Sequence, residues 1–148
     1  MENLEQRTVE ELKRGYCYDR EQGCYYCLEC GERFEEGEVF CLGGRFFEAG
    51  RAVKAHCRLA HGSRLEAVLA GESKYLALTA GQQELLRALA AGLTDAQIAQ
   101  KSGTALSTVR HQRFSLREKA KRAKLYLAVY ELAMEGKAEM DNLIPIHR

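Results

Sequence analysis

Apolar and polar positions follow two different rhythms along the chain. Up to about residue 75 the apolar residues come in short, interrupted runs of mixed period. From Leu78 onward they recur at three- and four-residue intervals in alanine- and leucine-rich sequence. The first rhythm predicts a small α+β module over residues 1–75, and the second an all-α domain over 76–136 that ends in a long helix, with a tail over 137–148. Within the module, Leu4, Val9 and Leu12 share one side of a helix expected over 3–14, which Gly15 ends. The Tyr- and Cys-rich residues 16–30 predict a strand or ribbon that runs into CLECGERF, Cys27 to Phe34. In EVFCLGGRFFEAG, β-prone residues flank Gly43-Gly44, which is a hairpin signal. Ala49 to His61 reads as a helix with Ala52, Val53, His56, Cys57 and Ala60 on related faces and Gly62 placed to cap it. Residues 63–77 are a joining segment, helical over SRLEAVLAG.

The second half predicts three helices. Thr79 is placed as an N-cap, with Leu85, Leu86 and Leu89 as the apolar stripe of a first helix that Gly92 ends. Thr94 caps DAQIAQKS, where Ile98 and Ala99 point inward. Gly103 breaks that helix and a third begins near Leu106 or Ser107. Periodicity alone fits a helix-turn-helix and an ordinary three-helix bundle about equally. No glycine or proline interrupts residues 107–135, so the third helix is expected to continue as a rod of roughly 40 Å at about 1.5 Å per residue. Along it Leu116, Ala120, Ala123, Leu127, Tyr130 and Met134 alternate four and three apart, a coiled-coil seam, and Leu125, Ala128 and Leu132 add a second apolar strip. These stripes serve either packing against the first two helices or contact with a second copy. A homodimer through the long helix is the expectation.

A net charge of +1 hides an uneven distribution: residues 1–78 hold 11 Lys and Arg against 14 Asp and Glu, and residues 79–148 hold 11 against 7. Arg110 to Lys124 carries seven cations and one acid, Glu118, which suits an anionic partner as well as a solvated face. No leader and no apolar run approaching the ~18 residues of a membrane span is visible, which predicts a cytoplasmic protein. All six cysteines, Cys17, Cys24, Cys27, Cys30, Cys41 and Cys57, fall in the first 57 residues. In a reducing compartment such clustering favours metal ligation over disulfides.

Cys27 and Cys30, followed by Gly31, have the spacing of a zinc knuckle, and His56 and His61 lie on the expected helix with four residues between them. These four are the candidate ligands of a structural zinc. The 25 residues between Cys30 and His56 far exceed the roughly 12 of a simple finger, and the inserted hairpin accounts for the excess. Cys24 and Cys57 are competing ligands, and Cys41 sits at the hairpin. Four protein ligands leave no position for water, and HCRLAH lacks the glutamate of an HExxH site. No phosphate-cradling loop, nucleophile elbow or carboxylate pair stands out, so an enzyme is not expected.

Leu78-Thr79, Glu84-Leu85, Gly92, Ile98-Ala99 and Thr108-Val109-Arg110 together resemble the DNA-binding domain of LuxR-type transcriptional regulators, over about residues 78–120. The sequence departs from that pattern at Ser102, Thr104 and Arg113, where the family has apolar residues. YCLECGERF, HGS, TVRHQRFSLREK and LIPIHR also resemble a narrower bacterial group with a cysteine-containing N-terminal region, this helix-turn-helix and a further C-terminal domain of unknown function. The strand-like LIPIHR at the end therefore implies that a third domain follows it. The LuxR resemblance implies a helix-turn-helix that reads double-stranded DNA, with Arg110 and His111 toward the groove, Ser107 and Thr108 suited to phosphates, and Arg113 and Arg117 continuing a basic edge. Lys119, Lys121, Arg122 and Lys124 extend the positive field. The reading is a dimeric, sequence-specific DNA-binding transcriptional regulator. The alternatives are a protein-interaction adaptor that uses the zinc module and long helix, and a regulatory subunit of an enzyme.

Overall fold

The computed structural model describes residues 4–71 and 74–142, with side chains described as far as residue 136. The chain divides into two compact units between Thr79 and Ala80, an α+β unit followed by an all-helical one.

The first unit opens with a 3-10 turn at Leu4–Gln6, and its first α-helix, α1, runs over Val9–Arg14. The single helix expected over 3–14 is thus reset at Thr8. Its hydroxyl accepts from the Glu11 amide while the Glu11 carboxylate accepts from the Thr8 amide, a capping box that fixes the helix start. Gly15 ends α1 in the left-handed region at φ 83°, and β1 (Tyr16–Asp19) follows at once.

β1 pairs antiparallel with β2 (Cys24–Cys27), Tyr16 opposite Cys27 and Asp19 opposite Cys24. The Asp19 carboxylate closes the connecting turn by accepting the amides of Glu21 and Gln22. β3 (Arg33–Glu35) adds to the other edge of β2, giving a three-stranded sheet of order β1-β2-β3. β4 (Val39–Leu42) and β5 (Arg45–Glu48) form the hairpin that the sequence predicts. Its two loop residues have φ 57° and 75°, the pair of positive values a type I′ turn requires and glycine supplies without strain.

α2 (Ala49–His61) closes this unit over both sheets. Ala49, Ala52, Val53 and Cys57 of α2 meet Cys27 and Phe34 in a buried core, flanked by Tyr16, Tyr25, Phe40, Leu42 and Phe47. Ala60, expected on the buried side, is exposed; Ala49, one turn before Val53, takes part instead. α3 (Arg64–Ala70), capped by Ser63, packs near α1: the Arg64 guanidinium donates to the Leu12 carbonyl.

The second unit comprises α4 (Ala80–Ala90), α5 (Asp95–Ser102) and α6 (Leu106–Asn142). α5 begins with a second capping box, Thr94 with Gln97, and ends at Gly103 with φ 68°. Leu85, Ile98, Ala99 and Val109 form the buried core, with Ala88, Leu89, Leu93 and Leu116 packed around it. α6 is 37 residues long, about 55 Å at ~1.5 Å per residue. It passes through Gly136 and takes in residues 137–142 of the expected tail; an interior glycine costs only about 1 kcal/mol, and strong helix formers flank this one. LIPIHR, residues 143–148, lies outside the described residues. Among the described residues no helix is long and apolar enough to cross a membrane.

Candidate functional site

The residues from Cys27 to Glu32 make a tight loop because the Gly31 amide donates to the Cys27 carbonyl and the Cys27 amide donates to the Glu32 carbonyl, each at 2.9 Å. Gly31 has φ 75°, which allows the reversal. The loop therefore presents the sulfurs of Cys27 and Cys30 to one side, where the last turns of α2 bring His56 and His61. One ligand atom from each of these four residues lies within 4.8 Å of every other, close enough to bind a metal ion.

The detail fits a four-coordinate ion. Cys30 Sγ is 3.2 Å from His56 Nε2, and His56 Nε2 is 3.2 Å from His61 Nε2. A tetrahedron with metal–nitrogen bonds of about 2.0–2.1 Å has a nitrogen–nitrogen edge of roughly 3.3 Å. The two histidine rings stand nearly perpendicular, at 76°. Cys27 and His56 are buried, His61 is half-buried and Cys30 is exposed, so the site opens to solvent on the knuckle side.

Two acids, missed in the sequence reading, complete the centre. His56 Nδ1 lies 3.1 Å from a Glu32 carboxylate oxygen, and His61 Nδ1 lies 3.5 Å from one of Glu29. A carboxylate on Nδ1 holds the proton there and leaves Nε2 free to face a metal. Glu29 is in turn held by Arg64, which joins the centre to α1 through the Leu12 carbonyl. The available signal was the acid on each side of Cys30 in LECGE, since a loop this tight must bring its flanking side chains to the same face.

The competing cysteines have other roles. Cys24 and Cys27 are three apart on β2, so the two-residue period sends their side chains to opposite faces, and Cys24 accepts from Arg33 instead. Cys17 accepts from Arg7, and Cys41 is exposed on the hairpin. Cys57 lies beside the cluster, its sulfur 3.9 Å from that of Cys27. Burial, and then the neighbouring Cys27 sulfur, pushes the Cys57 thiol up to about 12, so it stays protonated and donates to the Gly15 carbonyl and Cys27.

In the second unit Val109 is buried against Leu85, Ile98 and Ala99, which fixes the rotation of α6. Ser107, Thr108, Arg110, His111 and Arg117 are all exposed as a result. Arg113 is exposed too, but its guanidinium pairs with Asp95 at the start of α5, 2.8 Å away. That pair replaces the apolar contact expected at position 113. Ser102 likewise turns its hydroxyl back to the Ile98 carbonyl at 2.8 Å and meets Thr104 at 2.9 Å, ending α5 with polar contacts where the LuxR pattern is apolar. Lys121 is paired with Glu118, whose carboxyl is held below the usual range first by its hydrogen bond from Lys121. Between Leu116 and Gly136 the apolar residues of α6 are exposed, including Leu125, Leu127, Tyr130, Leu132 and Met134.

Comparison of the chain with protein-family models, with curated proteins and with solved structures gives no match.

Proposed function

We propose that the chain is a sequence-specific, DNA-binding transcriptional regulator that works as a homodimer and carries a structural zinc. The observation that bears most weight is the orientation of α6. With Val109 seated in the core, Arg110 and His111 face solvent from the first turns of a helix that follows α5 by only Gly103, Thr104 and Ala105. That is the placement a groove-reading second helix needs, and it coincides with the residues that resemble LuxR-type domains. In this reading α5 and α6 are the two members of a helix-turn-helix. Arg110 donates to guanine N7 and O6, and Ser107 and Thr108 fix the register on phosphates. The exposed apolar strip of α6 from Leu125 to Met134 then supports pairing with a second copy, which sets two reading heads on one duplex.

Two thiolates and two imidazoles are a donor set suited to zinc, which would be held by Cys27, Cys30, His56 and His61. Bound there, the ion ties the knuckle to α2 and supplies folding free energy to a unit with a small core. Four protein donors leave it no open position, so in this reading its role is structural. The same exposed apolar strip on α6 favours a second reading, an adaptor that binds another protein. Selection from a random pool of DNA duplexes separates the two: a regulator enriches a defined sequence with two half-sites, and an adaptor enriches none.

A further inference from the structure

The first unit carries an excess of acids, yet one of its surfaces is uniformly basic. Between the β4–β5 hairpin and the outer side of α2 lies a groove of about 570 Å³ lined by Arg45, Arg51, Lys54 and Arg58, with Phe47 and Leu59 among its apolar walls and no acid in its lining. All four cations are exposed, and none makes an ion pair among the described residues. Arg45 is steered into the groove by the hairpin: positions 45 and 47 share the strand face that looks toward α2, and its guanidinium stands 5.5 Å over the Phe47 ring. Arg51, Lys54 and Arg58 follow at helical spacing on one face of α2, beside the buried face and away from it.

Like charges three and four apart weaken a helix, and a helix face that merely solubilises a domain usually mixes signs. Here acids are plentiful in the same unit, and Glu36, Glu38 and Glu48 line the adjoining hollow with Arg51, but none closes on the groove. We propose that this groove is a nucleic-acid site that holds the sugar–phosphate backbone of one strand. Three of its four cations are arginines, whose planar forks match phosphate oxygens. From Arg51 to Arg58 the helix rises roughly 10 Å, the axial span of about three nucleotides of one strand, so the cations suit a repeating anion better than a single one. The site reads no bases; it adds salt-sensitive affinity from a unit whose net charge would otherwise repel DNA. It needs only nucleic-acid binding by the full chain, not base reading by α6.

The test is the salt dependence of binding by the full, zinc-loaded chain to a duplex of arbitrary sequence, in the parent, in the triple variant Arg51→Gln, Lys54→Gln, Arg58→Gln, and in Arg20→Gln as a control for an exposed charge lost elsewhere in the unit. Zinc content and circular dichroism check that the variants are folded. The expected result is a slope of log affinity against log salt that is shallower by roughly 2–3 units in the triple variant, at about 0.9 per phosphate released, and nearly unchanged in Arg20→Gln. Equal slopes for parent and triple variant overturn the groove, as does displacement of the duplex by polyglutamate at equal charge concentration, which would mark an acidic-protein site. Arg110→Ala, titrated in parallel on a selected duplex, keeps the two readings apart. Loss of sequence preference there with an unchanged slope in the triple variant sinks the groove and leaves the regulator standing, and the converse pattern does the opposite.

Discussion

Replacing Glu32 by alanine removes one carboxylate from behind the candidate metal site and alters none of its four candidate ligands. In the folded chain this carboxylate sits 3.1 Å from His56 Nδ1 on an imidazole whose side chain is 8% exposed, while Glu32 itself is 54% exposed. Without it the His56 ring loses the partner that orients it and fixes its tautomer. Losses of this kind lower metal affinity by about 10–100-fold, roughly 1.4–2.8 kcal/mol. Because Glu32 is half-exposed, water can reach Nδ1 in its place, and the expected loss for Glu32→Ala lies near the tenfold end. Glu32→Gln keeps an acceptor but not the charge and is expected to fall between parent and alanine variant. Glu29→Ala acts on His61 from a longer distance, 3.5 Å, but also frees Arg64, so its loss of affinity should come with a loosened α1–α3 contact. Competition for zinc against a chromophoric chelator at neutral pH measures all three. Parent-like affinity in Glu32→Ala would refute the argument, since the carboxylate would then be a surface charge that merely lies close by.

Two further outcomes follow from the same geometry. Chelation of the metal should unfold the first unit, whose buried core joins the knuckle to α2, while the helices from Ala80 onward keep most of their far-ultraviolet signal; hydrogen exchange resolved by segment would show the two halves separately, and simultaneous loss of both would contradict the independence of their cores. Leu127, 37% exposed on α6, should lie between two chains, so Leu127→Asp should sediment as a monomer where the parent sediments as a dimer; identical masses would remove the seam.

How far the sequence carried can be judged residue by residue. Gly43-Gly44 named its hairpin because two consecutive positive φ angles are cheap only for glycine. Cys27, Cys30, His56 and His61 were legible as a set because metal geometry constrains residue type and spacing together. Glu29 and Glu32 were not, since acids in a polar loop look like any solvated surface until the loop closes. The start of the first helix was misplaced because hydrophobic spacing from Leu4 to Leu12 ignores the Thr8–Glu11 capping box, a local hydrogen-bonding choice that overrides periodicity. Arg113 read as one more cation on a basic edge, and its commitment to Asp95 depends on how α5 and α6 cross, which no local pattern encodes. An expected end at residue 136 leaves out the last turns of α6, which runs on through Gly136 to Asn142 because the residues on both sides of the glycine favour the helix.

The central claim is that α6 reads bases, and it is most directly tested by titrating parent and Arg110→Ala against a duplex recovered by selection and against a scrambled copy, at several salt concentrations. A bidentate contact to guanine contributes about 1–3 kcal/mol of discrimination. The expected result is therefore that Arg110→Ala loses roughly 5- to 150-fold on the selected duplex and far less on the scrambled one, narrowing the preference at one position of each half-site. Equal losses on both duplexes, or a parent protein that prefers neither, would contradict the account.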